Sequence, residues 1–301
     1  MTTAIRPRRS VLYMPGANER AMQKARTLPA DCIILDLEDA VAPDAKELAR
    51  EQVAQAARGG GYAPREVLVR INPLDTDWGE ADLAVAAELP VDGIVVPKIE
   101  SASMVNEVSA RVRAAERVIP IWAMLETPLA ILRAEQIALN ANDLGCLLMG
   151  TSDLSKELRL PDNPVAGLMW SLGRALVAAR AAGVDIIDGV HLALDDDAGF
   201  RAACQRARAL GFDGKSLIHP KQIAAANETF GLTTEEVEHA AQVCRAHADA
   251  LACGRGVAVL NGKLVENLHV EIAEHTLAKA RAIAELEAAA ETTWTHADRS
   301  R

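Results

Sequence analysis

Eight short runs of apolar, often β-branched residues punctuate the first 220 positions of the chain. They are SVLYM (10–14), CIILDL (32–37), EVLVRIN (66–72), GIVVPK (93–98), VIPIWAML (118–125), GCLLMG (145–150), VDIID (184–188) and GKSLIH (214–219). Each is apolar on both faces, the pattern of parallel strands covered on both sides. Helix-like segments separate them. Residues 44–58 set Leu48, Val53 and Ala57 toward one side, and residues 168–182 are rich in Ala and Leu. Eight strand–helix units of this length predict an α/β fold, a (β/α)8 TIM barrel. A doubly wound open sheet is the competing arrangement.

Beyond residue 220 the rhythm changes. Thr233-Thr234-Glu235-Glu236 predicts a cap for a helix over 236–252. Apolar residues at 257–260 and 263–265 flank Asn261-Gly262, a strong hairpin signal. A last helix is expected over 269–286, with a frayed tail over 291–301. This helix–hairpin–helix stretch is too small to be an independent enzyme. The expected division is a catalytic barrel over 1–230 and a C-terminal lid or oligomer-contact extension over 231–301.

Composition narrows the partners. Half of the 301 residues are hydrophobic and a quarter are charged, as in ordinary globular chains. A formal net charge of −10 leaves no basic stripe for phosphate backbones, so a nucleic-acid partner is not expected. No apolar run reaches the ~18 residues of a membrane span. The stretch MTTAIRPRRS is charged without an apolar core, so no secretory leader is expected and a cytoplasmic location is. The five cysteines form no CxxC pair, which argues for isolated thiols rather than zinc or disulfides.

In a barrel, chemistry collects where strands end. The strand ends here carry Pro15-Gly16, Asp36-Leu37-Glu38-Asp39, Arg70 with Asn72, Lys98 with Glu100, Glu126, Thr151-Ser152-Asp153 and Asp188. That mixture of acids and a few cations suits a hard cation beside an anionic substrate. Glu126 and Asp153 follow adjacent strands, so two carboxylates can converge on one Mg2+, with water and substrate filling the remaining positions. The alternative is that Glu126 pairs with Arg70 or Lys98 and merely holds the barrel mouth together. Arg70 can grip a carboxylate or a developing oxyanion, or can neutralise Glu38 or Asp39. Of the latter two, one is expected to orient Arg70 and the other to cap the next helix. Arg20 and Lys24 lie four apart, on one helical face, and can hold phosphates or be solvated surface. His191, His219 and His269 show no ligand spacing, and His219-Pro220 reads as a hydrogen-bonding corner.

Taken in order, RSVLYMPG, ILDLEDAV, VRINPLDTDWG, VPKIE, ETPLAI, GTSDL and GFDGKSLIHPKQI resemble the citrate lyase β-subunit-like family of CoA-ester lyases. That family lies within the HpcH/HpaI aldolase group and includes malyl-CoA, β-methylmalyl-CoA and citramalyl-CoA lyases. The resemblance spans roughly residues 8–285. It implies a (β/α)8 barrel with a C-terminal extension, assembled as a homotrimer or hexamer. It further implies that Glu126 and Asp153 bind Mg2+ and that Arg70 contacts the small 2-oxo acid, with Glu38 and Asp39 supporting the site. By the same resemblance Arg20 and Lys24 reach the CoA phosphates, Tyr13 and Pro15 line that groove, and the glycine turn after Met149 cradles the acid.

One position departs from the family. Where many relatives have Gly-Lys-Met-Ile-Asp-x-Pro, with the Asp serving a neighbouring subunit as acid/base, this chain has Gly262-Lys263-Leu264-Val265-Glu266-Asn267-Leu268. Glu266 keeps the carboxylate with one more methylene, unless it is only a surface hairpin residue. The expected activity is Mg2+-dependent retro-Claisen cleavage of a malyl-CoA or citramalyl-CoA type ester to a 2-oxo acid and acetyl-CoA or propionyl-CoA. A malyl-CoA-type thioesterase ranks second. A citrate lyase β subunit acting on an acyl-carrier-protein thioester ranks third, ahead of a non-catalytic acyl-CoA binder.

Overall fold

The structure is a computed structural model that describes residues 5–161, 165–254 and 256–298. Eight parallel strands follow one another around a closed barrel: β1 (Ser10–Pro15), β2 (Cys32–Asp36), β3 (Glu66–Arg70), β4 (Gly93–Val96), β5 (Ile121–Leu125), β6 (Leu144–Met149), β7 (Asp185–Asp188) and β8 (Gly214–Leu217). Strand β8 closes the ring on β1, with Ser10 opposite Lys215 and Leu12 opposite Leu217. The open sheet is thereby excluded, and all eight apolar runs become strands. Their helices are α1 (Glu19–Ala25), α2 (Lys46–Gly59), α3 (Gly79–Glu88), α4 (Ala102–Ala114), α5 (Pro128–Leu132), α6 (Ala134–Asn140), α7 (Thr151–Glu157), α8 (Val165–Ala182), α9 (Asp197–Leu210) and α10 (Ile223–Phe230). No described helix is long and apolar enough to cross a membrane.

Strand parity decides what faces the barrel axis. Side chains alternate sides along a strand. Val11 and Tyr13, Cys32 and Ile34, Leu68, Val95, Trp122 and Met124, Cys146 and Leu148, and Ile187 pack together as the interior. Two residues further along the same faces stand Asp36, Arg70, Glu126 and Gly150. Four interior rows therefore end at the C-terminal rim in three charged side chains and a glycine, and the other three in Pro15, Pro97 and Gly189.

Helix α2 corrects one expectation. Its buried side is Lys46, Ala49, Val53, Ala54 and Ala57, whereas Leu48 is exposed. The 3.6-residue rhythm that joins 46, 49, 53 and 57 leaves 48 on the outer face.

The chain divides into two compact units, Arg8–Asn227 and a second built mainly from Glu228 onward. In the second, α11 (Thr234–Ala252) starts at a capping box. Thr233 accepts from the Glu236 N–H, and the Glu236 carboxylate accepts from the Thr233 N–H. Strands β9 (Ala258–Leu260) and β10 (Lys263–Val265) pair antiparallel across Asn261 and Gly262, both at positive φ. That is the geometry Asn-Gly favours in a two-residue hairpin. Helix α12 (Asn267–Asp298) runs well past the expected end. Positions 291–298 are helical, and 299–301 lie outside the described residues. No Gly or Pro interrupts 267–298, and Ala and Glu dominate its second half, so nothing local stops the helix.

Candidate active site

At the barrel rim the most constrained side chain is Arg70. Backbone register sets Asp36 opposite it on β2. The guanidinium grips that carboxylate with two bonds, Nε to Oδ1 and Nη2 to Oδ2, both 2.6 Å. Its third nitrogen, Nη1, lies 2.8 Å from Glu38 Oε2 and 3.5 Å from Asp39 Oδ2. One flat face rests on the Tyr13 ring at 4.6 Å, a cation–π contact. Burial opposes the cation, yet Asp36 more than compensates and holds its pKa well above the ordinary value.

Asp36 is thus the principal partner of Arg70, ahead of the expected Glu38 or Asp39. It also accepts from the backbone N–H groups of Glu38 and Ala40, so one carboxylate shapes the whole loop. Neither Glu38 nor Asp39 caps a helix. The next turn, Pro43–Ala45, starts at Ala42 without a side-chain cap. Glu38 is buried and Asp39 exposed. Desolvation pushes the Glu38 carboxyl up to about 7, while Arg70 pulls it back down.

Tyr13 points into the barrel, its hydroxyl 3.9 Å from Met124 Sδ. It belongs beneath Arg70 rather than in an outer groove, which corrects its expected place. Pro15, the last residue of β1, is half-buried. Arg20 and Lys24 are both exposed on α1.

Below the loop a buried network goes beyond what the sequence singled out. Lys46 Nζ donates to Leu37 O and Glu38 O, both at 2.8 Å, and to Asn72 Oδ1 at 2.7 Å. Asn72 in turn donates to Leu37 O and to Asp82, and Asp82 is held by Arg50. A buried cation with three acceptors fixes a loop that has little regular structure of its own. The Asp188 carboxylate of β7 is neutralised by Lys215 of β8, a second buried pair.

Glu126 answers to different physics. Glu126-Thr127-Pro128 is a strand end, a helix cap and a first helical residue in succession. Thr127 Oγ1 accepts from the Ala130 N–H, and Pro128 opens α5. The Glu126 side chain is nearly inaccessible (2%). Oε1 accepts from the backbone N–H of Lys98 at 2.7 Å, made possible by a left-handed φ of 52° at Lys98. Such a conformation costs a non-glycine residue about 1 kcal/mol. Among the described residues no cation lies within 4 Å of this carboxylate. The pairing with Arg70 or with the Lys98 ammonium is therefore absent. Burial pushes the Glu126 carboxyl up to about 7, and the Asp153 carboxylate adds to the rise. Asp153 stands in the first turn of α7, directly after β6. Between the two lies Gly150, where any Cβ would overlap the Glu126 side chain.

A buried carboxylate with one amide bond, a second carboxylate nearby and no protein cation within 4 Å, Arg70 and Lys98 acting on it only from farther off, is a donor set that fits a divalent ion. Two protein oxygens suit Mg2+, which keeps several positions for water and substrate. No cluster of three or more His, Cys, Asp or Glu exists among the described residues to form a full protein cage. A cleft of about 640 Å³ between α2 and α3, lined by Arg50, Arg58 and Val85 among others, lies outside the barrel and away from this chemistry. His219 is a corner: its Nδ1 accepts from the Lys221 N–H. Glu266 is exposed in the second unit, and its backbone N–H donates to His269 Nδ1 at 3.1 Å.

Comparison with known proteins supplies context for this geometry. The model of the HpcH/HpaI aldolase/citrate lyase family matches residues 9–220. A (3S)-malyl-CoA thioesterase of Cereibacter sphaeroides is 47% identical over 92% of this chain and 96% of its own length. The citrate lyase subunit beta of Escherichia coli is 35% identical over 91% of this chain and 94% of its own. Among solved structures, protein CitE of Mycobacterium tuberculosis, in complex with magnesium, acetoacetate and coenzyme A, has a TM-score of 0.71 and 27% identity. That match covers 90% of this chain and 97% of CitE.

Proposed function

Because the chain belongs to the HpcH/HpaI aldolase/citrate lyase family, we propose that it is a Mg2+-dependent thioesterase that hydrolyses a malyl-type CoA ester to the hydroxy acid and free CoA. The observation that carries hydrolysis over carbon–carbon cleavage is the 47% identity, across nearly both full lengths, to relatives named for that hydrolysis. This reverses the order expected from the sequence motifs.

Glu126 and Asp153 are the residues that would hold Mg2+, and the ion would supply Lewis-acid polarisation of substrate oxygen. Arg70, locked on Asp36, offers its remaining donor edge to the carboxylate of the acyl group. The Lys46 network holds the loop that carries Glu38. With a carboxyl lifted to about 7, Glu38 is suited to take a proton from water near neutral pH. As that water attacks, a C–O bond forms, the C–S bond breaks, and the thiolate of CoA leaves and is protonated. Arg20 and Lys24 would meet the CoA phosphates, with Pro15 at the edge of that path. The unit from Glu228 onward would act as a lid or oligomer arm in a homotrimer or hexamer, delivering Glu266 to a neighbouring copy.

The lyase reading stays second. It is favoured by the 35% identity to citrate lyase beta subunits, and the same two carboxylates beside Arg70 would serve it. The test is one incubation of the pure protein with Mg2+ and (3S)-malyl-CoA, then with citramalyl-CoA. Free thiol is followed with a disulfide reagent and 2-oxo acid with a hydrazine reagent. Thiol without oxo acid is the expected result. Oxo acid without thiol gives the reaction to the lyase, and silence in both removes these substrates.

A further inference from the structure

Tyr13 carries a hydroxyl for which the fold supplies no strong partner. A buried tyrosine ordinarily finds a good acceptor for its O–H. The other of the two tyrosines in the chain does so: the Tyr62 hydroxyl donates to Met22 O at 3.1 Å. Among the described residues the Tyr13 hydroxyl donates only to Met124 Sδ, at 3.9 Å, and a thioether is a weak acceptor. The ring itself is fixed by the Arg70 guanidinium stacked on it at 4.6 Å. Tyr13 belongs to β1 and Met124 to β5, strands half the ring apart, so the side chain reaches across the barrel axis.

The side chains level with that ring form the floor of the mouth. Two positions before the rim, Ile34 lies beneath Asp36, Leu68 beneath Arg70, Met124 beneath Glu126 and Leu148 beneath Gly150. Ile34, Leu68 and Leu148 are closed to solvent and Met124 nearly so, whereas Tyr13, beneath Pro15, is half-buried. Tyr13 is the one side chain of these five with an O–H or N–H. The floor is thus apolar around a single reachable donor. Burial raises the phenol pKa well above its ordinary value, Arg70 opposing the rise and the carboxylates of Asp36, Glu126 and Glu38 adding to it. The group stays protonated near neutral pH, so it serves as a donor and not as a base.

A malyl-type CoA ester, the substrate of the proposed function on which this inference rests, can enter such a mouth only acyl end first. The closed layer beneath the rim leaves no room for the nucleotide. The group that arrives deepest is the end farthest from sulfur, which in a malyl ester is a carboxylate. A methyl group in that place would leave the hydroxyl with sulfur alone. A carboxylate accepts it in a charge-assisted bond, beside the same guanidinium that stacks on the ring. A site built around a hydrogen bond rejects an analogue that lacks the partner far more strongly than an apolar pocket rejects a change of one methylene.

We propose that the Tyr13 hydroxyl is a specificity-determining donor, which selects CoA esters whose acyl chain ends in a carboxylate over those that end in a methyl group. The probes are two non-hydrolysable thioethers, S-(3-carboxypropyl)-CoA and S-butyl-CoA, which differ only at that end. Each is titrated by calorimetry into the full chain with Mg2+. Wild type should bind the carboxylate-ended probe more tightly. Tyr13→Phe keeps the ring on Arg70 and should weaken that probe by about 10- to 100-fold, while S-butyl-CoA changes by less than about threefold. A second readout needs no change at Tyr13. In Tyr62→Phe protein labelled with 3-fluorotyrosine, the single fluorine signal should shift further with the carboxylate-ended probe than with S-butyl-CoA. Equal weakening of both probes by Tyr13→Phe, no weakening of either, or equal fluorine shifts would each overturn the inference and leave the CoA-ester reading standing. Binding of neither probe to wild type would overturn that reading and the inference with it. Neither thioether is turned over, so the result does not depend on whether the reaction is hydrolysis or carbon–carbon cleavage.

Discussion

Replacing Glu126 by Gln should make the metal-free protein more stable and inactive at once. Gln keeps the oxygen that accepts from the Lys98 N–H at 2.7 Å and nearly the same volume, but it carries no charge. In the folded chain the carboxyl is pushed from its ordinary 4.5 to about 7 by burial, with Asp153 adding to the shift. The sign follows from proton binding. Between pH 4.5 and 7 the folded form holds this proton more tightly than the unfolded one, so stability falls as pH rises through that window and stays low above it. At 1.36 kcal/mol per tenfold the ionised group costs the fold at most about 3 kcal/mol at pH 8. For a unit of this size that corresponds to a Tm gain for E126Q of up to about 5–10 °C. The assay is thermal unfolding in EDTA at pH 8 and at pH 4. E126Q should melt higher at pH 8, and the gap should close at pH 4. Adding Mg2+ at pH 8 should raise the wild type, since a ligand that binds only the folded form stabilises it, and should leave E126Q nearly unmoved. If E126Q melts at or below wild type at pH 8 in EDTA, or gains as much from Mg2+, the account of this carboxylate is wrong.

Three further outcomes are expected. R70K cannot reproduce the two-bond grip on Asp36, so kcat/KM should fall by about 10²–10³ with little change in Mg2+ affinity measured by calorimetry. G150A drives a methyl group into the Glu126 side chain and should weaken Mg2+ binding at least tenfold in the same titration while Tm in EDTA changes modestly; unchanged affinity would mean that Glu126 is not a ligand. R8M at the opposite end of the barrel leaves the buried Glu66 carboxylate without its bidentate partner and should cost about 3–5 kcal/mol in urea unfolding, with kcat at 20 °C unaltered in the fraction that remains folded.

The strands were legible because parallel strands buried on both faces leave an unbroken apolar run, which few other structures require. The hairpin and the Thr233 cap were legible because Asn-Gly and Thr-x-x-Glu each encode a local hydrogen-bond pattern. Partnerships across the barrel were less so. Arg70 could be matched with any acid in Asp36-Leu37-Glu38-Asp39 until register set it level with Asp36. Strand parity carried that information: Ile34 and Asp36 share a face, as do Leu68 and Arg70. Lys46 was hidden for another reason. A lysine in the first turn of a helix ordinarily reads as solvated surface, and its acceptors Leu37, Glu38 and Asn72 converge only when two loops fold over it. Leu48 erred in the opposite direction, since hydrophobicity alone does not say which face of α2 meets the barrel.

The two ends of the barrel use buried charge in opposite ways. At the N-terminal end Arg8 binds Glu66 through two bonds, reaches Asp185 and Gly145 O, and stacks over Trp122, while Arg9 grips Asp31 bidentately. Each of those cations faces carboxylates in hydrogen-bonding geometry, so the charges are met within the fold and leave a ligand little to compensate. At the C-terminal end the same interior rows finish in Arg70 with Asp36, which are paired, and in Glu126, which is not. A fold stabilised throughout would have set a cation against Glu126, and the β3 and β4 ends supply Arg70 and Lys98 close by. Arg70 is instead committed to Asp36 and Glu38, and Lys98 bonds Glu126 through its backbone N–H while its ammonium, like Arg70, favours the ionised carboxylate only from beyond ion-pair distance. The uncompensated carboxylate is thus a product of where the neighbouring cations are held. Its cost in stability in the metal-free protein at pH 8, and the offset that Mg2+ would supply under the proposed function, are what the E126Q experiment reads.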